Sequence, residues 1–272
     1  MIEKRLAELR KNGEKALIPF ITAGDPDMAT TVKLVLAMAE AGADVIELGV
    51  PFTDPVADGP AIQRASLRSL AGGTNLGSIL EAVKQIRQKS DVPLVLMTYY
   101  NPVFRFGLDK FVSEAAEAGV NGLIVPDVPL EESAPLGEPA RAKGIALIPL
   151  VAPNSPEERI EKITAQAGGF IYCVSSLGVT GVRQAIKTDI ANFISRVRKY
   201  TKLSVAVGFG ISGPTQAAEM AEYCDAVIVG SALVSLIEAN ATSGELVEIL
   251  SGKVRELKEA MSGKGVEAVV AV

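Results

Sequence analysis

The chain has 272 residues, with 27 basic and 32 acidic side chains, a formal net charge of −5 and 48% hydrophobic content. That balance supports a full buried core and argues against a nucleic-acid-binding surface. Histidine is absent, which excludes Ser-His and Cys-His nucleophile pairs, His-ligated catalytic zinc and imidazole acid–base chemistry, and leaves any enzymatic work to carboxylates, tyrosine, lysine or backbone dipoles.

In chain order, Met1–Arg10 places Ile2, Leu6 and Leu9 at helical spacing and predicts an extra helix under the barrel floor. Short apolar runs then alternate with longer helical patterns. The predicted strands are Ala16–Ile21, Asp44–Leu48, Pro93–Thr98, Gly122–Val125, Ile145–Pro149, Phe170–Cys173, Ser204–Val207 and Ala226–Val229. Most are continuously apolar rather than alternating, as expected of parallel strands covered on both faces. Asp25-Pro26 reads as a cap followed by a first-turn proline, leading into a helix over Met28–Ala41. Ala41-Gly42, Ala118-Gly119 and Lys143-Gly144 read as helix ends. Gly59–Leu70 predicts an extra short helix in the second βα loop, and the tail after Met261 is expected to fray.

Eight strands alternating with helices over about 250 residues predict an α/β protein, a single-domain (β/α)8 TIM barrel spanning 1–272, with an extra N-terminal helix and extra short helices in the βα loops. An open doubly wound sheet is the alternative, and the lack of a GxGxxG after the first strand counts against it. No apolar run approaches the ~18 residues needed to span a bilayer. Met1–Leu6 has no apolar secretory core, so a cytoplasmic location is expected. Cys173 and Cys224 are far apart in apolar settings, without metal-ligand or redox spacing, and are expected as buried free thiols.

In such a barrel, chemistry collects at the C-terminal strand ends, and a phosphate often binds beyond strands seven and eight. Strand seven runs into Gly208-Phe209-Gly210-Ile211-Ser212-Gly213, strand eight into Gly230-Ser231, and strand six into Gly178-Val179-Thr180-Gly181. Each cluster alone suits a tight turn. Together, after three consecutive strands, they predict a phosphate cup of backbone N–H groups and helix N-termini. The connection from Ser175 to Lys187 is long and is either a lid or an ordinary surface loop.

Glu47 ends strand two, Asp58 lies in the loop beyond it, Asp127 follows strand four and Tyr172 lies in strand six. A carboxylate on an apolar strand is costly unless paired or neutralised, and an isolated glutamate there would most simply be a salt-bridged strand end. Inside a barrel, Glu47 is expected to have a raised pKa suited to proton transfer, while Asp58 in a polar loop stays ionised. No lysine stands at a C-terminal strand end, and Lys202 lies at the opposite one, which disfavours a Schiff-base aldolase.

Pro19-Phe20-Ile21-Thr22-Ala23-Gly24-Asp25-Pro26 and the stretch from Glu47-Leu48-Gly49-Val50-Pro51-Phe52 through Thr53-Asp54-Pro55-Val56-Ala57-Asp58-Gly59-Pro60 resemble signatures of the tryptophan synthase α subunit family. Tyr99-Tyr100-Asn101-Pro102-Val103-Phe104, Pro126-Asp127-Val128-Pro129, Gly178–Gly181 and Gly208–Ser212 agree in order and spacing. The resemblance covers essentially the whole chain. It implies retro-aldol cleavage of indole-3-glycerol phosphate to indole and glyceraldehyde 3-phosphate. By position it implies Glu47 as the acid–base group and Asp58 as the group supporting the indole N–H. It further implies Phe20, Ile62, Met97, Ile124 and Phe209 as the indole slot, with Ile62 and Met97 reading equally well as barrel core. Tyr172 is implied beside Glu47, Thr180 over Asp58, and Gly181, Gly210, Gly230 and Ser231 at the phosphate. No cofactor is implied in this chain. The implied partner is a pyridoxal-phosphate β subunit in an αββα complex, contacted through Pro51, Asp54, Asn101 and Phe104. A free-standing lyase, a binding module without chemistry and another phosphosugar enzyme on the same barrel are the competing readings.

Overall fold

The computed structural model describes residues 1–174, 190–208 and 210–262. Its strands are β1 (Ala16–Thr22), β2 (Ile46–Gly49), β3 (Leu94–Met97), β4 (Gly122–Ile124), β5 (Ala146–Leu147), β6 (Leu150–Val151), β7 (Phe170–Val174), β8 (Ser204–Gly208) and β9 (Ala226–Val229). All pairings are parallel, in the order β5-β4-β3-β2-β1-β9-β8-β7-β6. Nine strands replace the expected eight because the fifth is interrupted. Pro149 has no N–H to offer a neighbour, so the ladder breaks between β5 and β6. The barrel still closes there: Ile148 N donates to Leu123 O at 2.9 Å on one side, and Pro149 O accepts from Tyr172 N at 3.0 Å on the other.

Strand alternation divides the core in two. Leu17 and Ile21, Ile46 and Leu48, Leu94 and Leu96, Val205 and Val207 face the helices. Ile18, Phe20, Val45, Val95, Met97, Ile124, Phe170, Tyr172 and Ile228 fill the barrel interior. Both faces are therefore dry, which is why these strands read as unbroken apolar runs. The N-terminal helix, Ile2–Lys11, closes the floor by inserting Ile2, Leu6 and Leu9 into the interior cluster. Gly122 permits this approach, since a Cβ there would lie 2.9 Å from the Ile2 side chain.

The helix Met28–Glu40 begins where expected, but its cap lies two positions beyond Asp25. Its cap is Asp27, whose carboxylate accepts from Thr30 N at 2.7 Å. Asp25 is instead buried and held by Arg68 through two bonds of 2.9 and 2.8 Å. The extra helix in the second loop spans Pro60–Ala71 with Gly59 as its cap. Arg64 and Arg68 of that helix both bond Glu238 of the helix Ser231–Ala239, tying the loop after β2 to the loop after β9. Gly42, Gly119 and Gly144 all have positive φ beyond their helices, as expected. Cys173 and Cys224 are free and buried. The last described helix is Leu246–Met261, and the expected fraying lies outside the described residues. Among the described residues, no helix is long and apolar enough to cross a membrane.

Candidate active site

Glu47 lies between Ile46 and Leu48, both turned toward the helices, so its side chain points into the barrel. It is 1% exposed, and its Oε2 has no hydrogen-bond partner among the described residues. Burial, reinforced by the nearby charge of Asp58, pushes its pKa up to about 8. An orphan polar atom in a packed interior costs stability, and a native fold that keeps one has a use for it.

Asp58 departs from the expected polar-loop setting. It is 6% exposed, and its Oδ1 also lacks a partner among the described residues. Burial raises its pKa to about 6, opposed by the Tyr99 hydroxyl. It thus keeps its charge at neutral pH and loses it in mild acid. Gln63 fixes the backbone by donating from Nε2 to the Asp58 carbonyl at 2.9 Å. A third orphan, Thr22 Oγ1, ends β1 opposite Gly49.

One cavity gathers Phe20, Glu47, Asp58, Ile62, Met97, Tyr172, Gly210, Ile211, Ile228, Gly230 and Ser231. The space between them is about 30 Å³, room for one water, so a bicyclic ring enters only if its walls yield. Two glycines make the packing possible. A Cβ on Gly49 would come within 2.5 Å of the Phe20 ring, and one on Gly208 within 2.4 Å of the Tyr172 hydroxyl. Tyr172 is buried within reach of both carboxylate charges, and its phenol is held well above the usual range, by burial first. Gly230 and Ser231 open the helix Ser231–Ala239, whose N-terminus carries no side-chain cap. Its free N–H groups and dipole favour an anion.

Of the positions expected at the site, Phe20, Ile62, Met97, Tyr172, Gly210, Gly230 and Ser231 share the cavity with Glu47 and Asp58. Ile124 is buried in the same interior cluster without lining the space. Thr180, Gly181 and Phe209 lie outside the described residues, as does the candidate lid. Asp127 is engaged elsewhere: both its oxygens accept from Tyr100 N, at 3.0 and 3.1 Å. At the rim, Asp54, Asn101 and Phe104 are exposed, Phe104 by 63%. Pro51 is a correction. It is buried and cannot present itself to a partner. Val56, 75% exposed, is the apolar side chain that the sequence reading passed over in the same loop.

Sequence reasoning also missed Ile211 and Ile228 on the cavity wall, and Tyr99 beside Asp58. Ile228 was findable, being an inward position on β9 two residues before Gly230. A larger cavity of about 360 Å³ lies outside the barrel, between the loop after β4, the broken fifth strand and the helix Glu157–Gln166. Its charged groups are already engaged, Arg159 with Glu131, Arg141 with the Gln166 carbonyl, and Asp127 as above. It therefore has no group left for acid–base work. Among the described residues, no three His, Cys, Asp or Glu side chains gather as metal ligands would.

A closed parallel barrel with two buried carboxylates, one on β2 and one in the loop beyond it, sharing a cavity with an uncapped helix N-terminus after β9, defines a TIM-barrel enzyme. The family model of the tryptophan synthase alpha chain matches residues 6–262. The chain is 48% identical over 260 residues to the tryptophan synthase alpha chain of Thermoanaerobacter sp. (strain X514), covering 96% of this chain and 99% of that one. It is 51% identical to that of Citrifermentans bemidjiense, covering 96% and 97%. Among solved structures, it is similar to Mycobacterium tuberculosis tryptophan synthase, with TM-score 0.87, 36% identity and coverage of 96% and 97%. It is equally similar to tryptophan synthase subunit alpha from Legionella pneumophila, with TM-score 0.87, 36% identity and coverage of 96% and 98%. The chain belongs to the tryptophan synthase alpha chain family. It is a lyase of tryptophan biosynthesis, the subunit that cleaves indole-3-glycerol phosphate to indole and glyceraldehyde 3-phosphate.

Proposed function

We propose that Glu47 and Asp58 divide the cleavage between them. The observation that carries this reading is the pair of orphan oxygens, Glu47 Oε2 and Asp58 Oδ1, on one cavity with Gly210, Gly230 and Ser231. With its pKa pushed up to about 8, Glu47 is protonated at neutral pH and delivers that proton to indole C3. The ring becomes an indolenine whose N–H carries positive charge, and Asp58, ionised above about pH 6, supports it. The Glu47 carboxylate then takes the proton from the glycerol hydroxyl. The carbon–carbon bond breaks, its electron pair returns to the ring, and an aldehyde forms. Glu47 ends as it began, protonated. Gly210, Gly230 and Ser231 hold the phosphate, joined by Gly181. Phe20, Ile62, Met97, Ile124 and Phe209 enclose the ring, Tyr172 packs beside Glu47, and Thr180 closes over Asp58.

The chain acts as one domain in the cytoplasm, without a cofactor of its own. It passes indole to a pyridoxal-phosphate β subunit in an αββα tetramer. Supporting a partner surface at the mouth are exposed Phe104 on the short helix Tyr100–Phe106 after β3 and Val56 in the loop after β2, with Asn101 and Asp54 on the same segments. Indole release from indole-3-glycerol phosphate, measured with and without a β subunit, tests both parts. Glu47→Gln is expected to bind a phosphate-bearing substrate analogue as the native chain does and to lose at least ~10³ in turnover, since each assisted proton transfer is worth roughly 10²–10⁴. Near-native cleavage by that variant would overturn the mechanism, and turnover indifferent to a β subunit would favour a free-standing lyase.

A further inference from the structure

Two helices border the cavity at one end and meet in a cluster of charges at the other. The helix Pro60–Ala71 starts two residues after Asp58, and its Ile62 lines the cavity. In its first turn Gln63 holds the Asp58 carbonyl at 2.9 Å. The helix Ser231–Ala239 brings Gly230 and Ser231 to the same cavity. Arg64 and Arg68 lie further along the first helix, and Glu238 lies seven residues beyond Ser231 on the second. At 1.5 Å per residue, Glu238 stands roughly 10 Å down the axis from the helix N-terminus, clear of any ligand there.

The cluster is a chain of forks. Arg68 donates to the two oxygens of Asp25 at 2.9 and 2.8 Å, and from its remaining terminal nitrogen to Glu238 at 2.7 Å. Arg64 grips both oxygens of the same Glu238, at 2.8 and 2.7 Å. Ser69, buried on the same helix, donates to the Ala23 carbonyl at 2.6 Å. Ala23 and Asp25 follow β1, the strand that carries Phe20 into the cavity. One guanidinium therefore joins three cavity walls. The Asp25 side chain is 1% exposed and that of Arg68 31%, so solvent and salt screen this pairing less than a surface one. Two cations against two carboxylates leave the cluster neutral, suited to fastening elements rather than to holding an ion.

We propose that Arg68 is a positioning residue that couples the phosphate end of the site to its ring end. Phosphate seated at Gly230 and Ser231 fixes the helix Ser231–Ala239. Glu238 and Arg68 carry that constraint to the helix Pro60–Ala71, and so to Ile62 and the backbone of Asp58. The small cavity creates the need: with about 30 Å³ of free space, its walls must yield before a bicyclic ring enters. Binding energy from the unreactive phosphate can drive that rearrangement only if something links the two ends. The proposal rests on the reading of Gly230 and Ser231 as the phosphate site.

The test uses the full chain and two small probes, inorganic phosphate for one end and indole for the other. Calorimetric titration gives the affinity for each alone, and for indole with phosphate saturating. In the native chain phosphate is expected to tighten indole binding at least ~5-fold, the lower end of usual coupling between sites. Glu238→Ala leaves Arg68 paired with Asp25. In it each probe alone should bind within about 2-fold of native while the enhancement vanishes. Arg68→Lys should behave alike, because one ammonium cannot span Asp25 and Glu238 as the fork does, and the double variant should be no worse than either. Cleavage by these variants should show kcat down about 10-fold with KM little changed. A purely structural tie would lower the thermal transition and weaken both probes alone, yet leave the enhancement intact; that result overturns the proposal. So does a native chain whose indole affinity ignores phosphate. Phosphate binding that survives Ser231→Asp would instead overturn the reading of the helix end, because a carboxylate there repels the anion.

Discussion

Asp44 and Glu47 stand three residues apart, Asp44 just before β2 and Glu47 within it, and both are about 1–2% exposed. Their surroundings could hardly differ more. At the floor, Asp44 accepts from Arg5 at 2.8 Å, from Lys258 at 2.6 Å and from Leu17 N at 2.9 Å. It thereby joins the N-terminal helix, the C-terminal helix and β1. At the mouth, Glu47 has an oxygen with no partner and a pKa near 8. Burial alone therefore does not make a carboxylate reactive. What matters is whether the fold supplies compensating donors, and this barrel supplies them at one end and withholds them at the other.

The floor follows a rule. Asp225, just before β9, accepts from Arg198 at 2.9 Å and from Val205 N at 2.8 Å. Asn121, just before β4, accepts from Arg87 at 2.7 Å and from Leu94 N at 2.9 Å. In each case, the oxygen of a residue entering one strand satisfies an amide at the start of a neighbouring strand and draws in a cation from a helix. The mouth is assembled differently: its buried oxygens, Thr22 Oγ1 and Glu47 Oε2 on strands and Asp58 Oδ1 in a loop, have no hydrogen-bond partner among the described residues.

The contrast can be broken by exchanging partners at either end. The largest expected effect on stability is at the floor. Asp44→Ala should cost roughly 3–5 kcal/mol in urea unfolding, because it strands Lys258 and the Leu17 amide, while turnover of the folded fraction stays near native. Loss of cleavage without loss of stability would show that the two ends are not separate in role. At the mouth the sign reverses. Glu47 titrates near 4.5 unfolded and about 8 folded, so the folded state holds the extra proton and stability declines as pH rises between those values. Glu47→Gln should therefore stabilise the chain at pH 8 by on the order of 2–3 kcal/mol, with the gain vanishing near pH 4. A gain independent of pH would mean that charge burial is not the cost. The smallest effect sharpens the floor rule. Asp225→Asn keeps an acceptor for Val205 N but weakens the pairing with half-exposed Arg198, and should cost about 1 kcal/mol.

Much of this organisation was readable from residue order. The apolar runs placed every strand but the interrupted fifth within a residue or two, because strands buried on both faces need unbroken hydrophobic sequence. Glu47 stood out as a charge in such a run, and Gly230-Ser231 as the turn into a helix. Local pattern misled where a neighbour distant in sequence competed for the same group. Asp25 looked like a helix cap but is claimed by Arg68, 43 residues on, and Asp27 caps instead. Pro51 looked like loop surface but is buried, and Asp58 looked solvated but is enclosed. Tyr99 was visible only as part of a motif, since nothing in its own neighbourhood tells that Ala57 N lies across from its hydroxyl.

By itself, the sequence determined the parallel barrel and the absence of imidazole chemistry, because periodicity and composition are properties of the chain alone, while the family resemblance singled out Glu47 and Asp58. Only the tertiary structure decided that Asp44 is neutralised and Glu47 is not, and that Asp58 is buried. The physical reason is that a carboxylate's proton affinity depends on which donors and charges the fold brings within a few ångströms, and those donors come from other strands and helices.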